Sequence, residues 1–103
     1  MKLIHILTPD GTGKVSVEVR SVEKQPTLEE LQKIVGGWIE RVEVLFKGQE
    51  RDMIINEEGL IKRLPFNPAA TEYRTNWLTL NGLEQYATPI VGTVVIFEGF
   101  ALS

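Results

Sequence analysis

Residues 27–37, Thr-Leu-Glu-Glu-Leu-Gln-Lys-Ile-Val-Gly-Gly, specify both ends of one short helix. Thr27 and Glu30 have the spacing of a capping box: the threonine hydroxyl accepts from the Glu30 amide, and the Glu30 carboxylate reaches back to the Thr27 amide. Leu28, Leu31, Ile34 and Val35 recur at helical spacing and form one apolar stripe. Gly36-Gly37 stops the helix, because glycine enters the left-handed cap conformation without a Cβ clash. A helix this short is marginal alone. It must bury its stripe against another layer, and the flanking sequence reads as strands.

Upstream, Leu3–Leu7 is apolar and Thr8–Lys14 is dense in turn formers. Val15, Val17 and Val19 then alternate with Ser16, Glu18 and Arg20. These runs predict an N-terminal hairpin whose second strand has one wet face. Downstream, Trp38–Phe46 predicts a strand with Trp38, Glu40, Val42, Val44 and Phe46 on one face and Ile39, Arg41, Glu43 and Leu45 on the other. A turn at Lys47–Glu50 leads to a strand over Arg51–Asn56. Another at Glu57-Glu58-Gly59 leads to the apolar Leu60–Leu64, which Pro65 ends, giving the outline of an antiparallel meander. Asn67-Pro68-Ala69-Ala70 starts a second helix, with asparagine as cap and proline in the first turn. Its length is open, because Thr71, Thr75, Asn76 and Thr79 are mediocre helix formers and Asn81-Gly82 marks a turn. Thr93–Phe97 reads as a buried strand. The expectation is one α+β domain over residues 1–103: a mostly antiparallel sheet of about five strands, with the capped helix and a second helical or irregular segment packed on one face.

Composition narrows the chemistry. There are no cysteines and one histidine, so disulfides, thiolate sites and a multi-histidine metal site within one chain are excluded. Fourteen acidic against eleven basic residues leave a charge of −3, the wrong sign for a nucleic-acid binder. No apolar run approaches the length of a membrane span, and the N-terminal Met1–Leu7 lacks the cleavage site of a signal peptide, which points to the cytoplasm.

Several motifs resemble catalytic ones without their context. Gly11-Thr12-Gly13-Lys14 lacks the spacing of a phosphate loop, has Val15 where a hydroxyl is needed, and precedes a strand, so it reads as a hairpin loop. His5 lies in an apolar strand and reads as a structural histidine bonded to backbone. Glu57 and Glu58 read as a solvated pair in a turn. Glu40 shares a face with Trp38 and Val42, which predicts an ion pair with Arg51 or Arg63, or else a functional carboxylate. No nucleophile elbow, zinc-protease helix or redox pair occurs. Tyr73, Arg74 and Trp77 would share one side of a helix, either closing the core or forming an interface anchor.

The run Leu31-Gln32-Lys33-Ile34-Val35-Gly36-Gly37-Trp38-Ile39-Glu40-Arg41-Val42 resembles the hallmark of a small family found in phages, plasmids and mobile regions of bacteria, known only as a domain of unknown function. Asn56-Glu57-Glu58-Gly59, Asn67-Pro68-Ala69-Ala70 and Gly92-Thr93-Val94-Val95 follow in similar order. The resemblance covers about residues 26–98, with Thr93 where the pattern has an acidic residue and a longer stretch after Ala70. It implies a mobile-element origin and carries no catalytic residues with it.

The expected role is that of a small accessory protein of a phage or mobile element. It would bind a host protein or assemble with itself, without catalysis, cofactor or metal, and with no role for nucleic acid or membrane. Gly36, Gly37, Trp38, Glu40, Arg41, Tyr73, Arg74 and Trp77 are the candidate binding residues. The alternative is a binder of a small, nucleotide-like anion. It would use the amides of Gly36-Gly37, stacking on Trp38, and Arg41 or Arg74 as the cation. A third reading makes Glu40 an acid or base converging with Arg63 and Asn67.

Overall fold

The computed structural model describes residues 1–100. Strands β1 (Lys2–Pro9) and β2 (Val15–Val22) form the N-terminal hairpin. Helix α1 (Leu28–Val35) leads into a second hairpin, β3 (Ile39–Phe46) and β4 (Gln49–Asn56). Helix α2 (Pro68–Leu80) and a single 3₁₀ turn at Glu84–Tyr86 precede β5 (Val94–Glu98). The sheet has five strands in the order β2-β1-β5-β4-β3, every pairing antiparallel. The α+β class and the antiparallel sheet are as expected. The connectivity is not a meander, because the last strand enters between the two hairpins.

Each helix forms for the reasons its sequence gives. In α1 the capping box closes in both directions, Glu30 N–H to Thr27 Oγ1 at 3.2 Å and Thr27 N–H to Glu30 Oε1 at 3.1 Å. Gly36 ends the helix with φ of 83°. The two-residue turn Lys47-Gly48, both at positive φ, fixes the β3–β4 register. Helix α2 starts at Asn67, whose side chain accepts from the Ala70 amide.

The two helices cover opposite faces of the sheet, a correction to the expectation of one face. Leu31 and Val35 of α1 pack with Ile4, Ile6, Ile54, Val95 and Phe97. Ala70 of α2 joins Leu7, Val44, Phe46, Met53, Val94 and Ile96 on the other side, with Tyr73 packed against them. The physical reason lies in β5. Its four residues Val94–Phe97 are all buried, alternating between the two cores, so both faces need a cover.

Two further expectations are corrected. The apolar Leu60–Leu64 does not carry a meander onward. Lys62 N–H bonds Glu58 C=O at 2.9 Å and Leu64 N–H bonds Gly59 C=O at 3.1 Å, which coils the segment and leaves Leu60 and Ile61 at the surface. Trp38 precedes β3 and does not lie on the sheet; it is 63% exposed.

Candidate functional site

The coiled segment after β4 and the loop before β5 stand side by side at one end of the α2 face. Between them lies a groove of about 290 Å³ lined by Ile55, Leu60, Ile61, Pro89, Ile90 and Val91, with Glu40 and Glu57 among its walls. Gly59 makes this close approach: a Cβ there would sit 2.8 Å from Val91 Cγ2. Ile61 is 82% exposed, an unusual position for isoleucine without a neighbour to cover it. Glu40 and Glu57 form no ion pair among the described residues. The expected pairing of Glu40 with Arg51 or Arg63 is therefore absent; Glu40 is exposed and keeps its hydration.

The eight candidate binding residues do not converge. Gly37 and Trp38 share a shallow depression with Gln32, Glu58 and Lys62, just past the cap at Gly36. Arg41 is held by the buried Asp52, Nη1 to Oδ1 at 2.8 Å. On α2, Tyr73 stacks edge-on against Phe46 with centroids 5.1 Å apart. Arg74 donates from Nη1 to the Glu43 carbonyl at 2.8 Å while its guanidinium lies 5.0 Å from the Trp77 ring. Both arginines thus have intramolecular partners. Arg63 and Asn67 lie outside the lining of the groove that holds Glu40, so the expected three-residue constellation does not form. Leu60, Ile61 and Pro89–Val91 escaped the sequence reading. The one signal for them was an apolar run in a segment flanked by turn residues.

The remaining motifs have structural roles. The glycine-rich loop is a hairpin end organised by Asp10, whose Oδ1 accepts from the Thr12 amide at 2.8 Å and hydroxyl at 2.6 Å. His5 is buried, but its partner is a side chain and not backbone: Nε2–H donates to Glu98 Oε1 at 2.7 Å, and the ring meets Phe46 edge-on at 4.8 Å. That hydrogen bond, helped by the charges of Lys47 and Arg51, holds the Glu98 carboxyl below its ordinary range against the opposing effect of burial. Among the described residues no three His, Asp or Glu side chains are placed to hold one metal ion, and no helix is long and apolar enough to cross a membrane.

The fold and its surfaces define a small α+β protein with an antiparallel sheet between two helices. The chain belongs to the family of the domain of unknown function DUF3846, which it matches over residues 1–100. The match takes in the N-terminal hairpin, which lies outside the residues 26–98 of the sequence resemblance. No curated protein and no solved structure matches it.

Proposed function

We propose that this chain is an accessory interaction protein of a phage or other mobile element, acting without catalysis and holding a basic segment of a protein partner in the Glu40–Ile61 groove. The supporting observation is the groove's pairing of exposed aliphatic walls with two unpaired carboxylates. At about 290 Å³ it falls at or below the smallest sites that enclose a whole small molecule. An aliphatic anchor next to a lysine or arginine fits it better. The test is a peptide array combining one apolar anchor with one cation, read by fluorescence polarisation. Bound peptides should lose affinity roughly ten-fold on Glu40→Lys, the scale of a truncated interface contact, and on Ile61→Ser, but not on Trp38→Ala. Preference for acidic peptides, or indifference to Glu40→Lys, would overturn the reading.

A second reading, capture of a nucleotide-like anion, is favoured by one observation. The exposed Trp38 indole stands beside Lys62, whose Nζ lies 3.0 Å from where a Gly37 Cβ would be. Lys62 here takes the part first given to Arg41 or Arg74, and the amides of Gly36 and Gly37 take none, because both donate to the Gln32 carbonyl, at 2.8 and 3.1 Å. A nucleotide panel in a thermal-shift assay tests it; ligand at 100 times its dissociation constant stabilises by about 2.7 kcal/mol, and no shift on any nucleotide removes this reading.

A further inference from the structure

We propose that β2 pairs with β2 of a second copy of this chain, antiparallel about a twofold axis through Val19, so that one sheet runs across two protomers. This is independent of the groove. The free backbone groups of β2 follow from the hairpin. Asp10 N–H donates to Lys14 C=O at 3.0 Å, which marks that pair as hydrogen-bonded. In an antiparallel ladder such pairs alternate. Along the observed register, Thr8–Ser16, Ile6–Glu18 and Ile4–Arg20 therefore exchange bonds within the hairpin. Val15, Val17, Val19 and Ser21 turn their N–H and C=O outward, at the sheet's edge.

The opposite edge is treated differently. The Lys47-Gly48 turn makes Phe46–Gln49 a hydrogen-bonded pair, so by the same alternation Glu43 faces outward from β3. Arg74 occupies that outward carbonyl. Among the described residues nothing occupies the corresponding groups of β2. Its six central residues are exposed, Val17 at 60% and Val19 at 52%. An exposed apolar edge of this kind is a template for strand pairing.

Charge selects the partner and the register. With Val19 on the axis, Glu18 faces Arg20 of the second copy, twice, and Val17 faces its Ser21. Moving the axis to Glu18 sets Glu18 against Glu18, and moving it to Arg20 sets Arg20 against Arg20. An axis between residues would match outward amides with inward ones. In the isolated chain Glu18 and Arg20 satisfy each other along the strand, both largely exposed. Pairing would exchange these contacts for cross-strand ones and add about six backbone hydrogen bonds.

Sedimentation velocity over a micromolar to millimolar series tests this on the full chain. The wild type should show a concentration-dependent dimer. Glu18→Arg and Arg20→Glu alone should each weaken it roughly ten-fold, because two attractive cross-strand pairs become two repulsive ones. An equimolar mixture of the two variants should recover association as a heterodimer. Val19→Pro removes an outward N–H but no bond to β1, so it should abolish the dimer while the thermal melt stays cooperative. A wild type that remains monomeric throughout overturns the proposal, as do single variants that associate like wild type.

Discussion

Asn67 offers the sharpest check on how this fold is held together. It is completely buried, and its amide serves three backbone groups at once. Oδ1 accepts from Ala70 N–H at 3.1 Å, capping α2, while Nδ2 donates to Gly92 C=O at 3.0 Å and Leu7 C=O at 3.3 Å. The side chain thereby ties the helix to β1 and to the loop before β5. Asn67→Ala loses a cap worth about 1 kcal/mol and strands two buried acceptors at about 1 kcal/mol each, so about 3 kcal/mol is expected. Asn67→Asp separates the roles. Aspartate is as good a cap and suits a helix N-terminus, so a capping role alone predicts no loss. The bridge predicts a loss at least as large as for alanine, because a carboxylate oxygen would then face two carbonyls in the interior. Urea unfolding followed by the fluorescence of Trp38 and Trp77 reads the difference. With m of about 1.5 kcal/mol/M the midpoint falls by about 2 M. An Asn67→Asp protein within about 0.5 kcal/mol of wild type, the ordinary scatter of surface changes, would refute the bridge.

Glu98→Gln should reveal the acid sensitivity of the His5 contact. Because the folded carboxyl titrates below its ordinary 4.5, its contribution is present above that value and lost as pH falls through the folded pKa. The stability gap between wild type and Glu98→Gln, measured as urea midpoints, should therefore be open at about pH 7 and narrow by about pH 3; a gap independent of pH would count against the contact. Arg74→Leu should cost about 1–2 kcal/mol, a charge-assisted bond discounted for partial exposure, and should also promote self-association by freeing the Glu43 carbonyl. Denaturant midpoints and light scattering check the two effects separately.

The sequence made the local elements legible where one residue type has one physical use. Thr27, Glu30 and Gly36 mark α1 because capping chemistry is local, and the valines of β2 mark a strand because period two has no other cause. Helix α2 was legible only at Asn67-Pro68, since its threonines and asparagines resist the helix that packing against β3 and the Asn67 bridge impose. The placement of both helices needed one further step. A short strand apolar at every position, as Val94–Phe97 is, can sit only between two covers. The groove was least legible. Leu60 and Ile61 read only as part of an apolar run, and their exposure depends on backbone bonds from Lys62 and Leu64 that leave no trace in side-chain pattern.

The unequal edges bear on what kind of assembly β2 permits. A sheet with two open edges propagates without limit, each added copy presenting the edge that received the last. Here Arg74 fills an outward carbonyl at the middle of β3, and α2 lies against that strand. Pairing through β2 about a twofold axis is isologous, so it consumes the open edge of both copies and leaves only the two β3 edges at the ends. The same residues that favour a dimer therefore disfavour a fibre. Arg74, singled out in the sequence as a possible binding residue, interrupts the β3 edge at one carbonyl and so biases strand pairing toward β2.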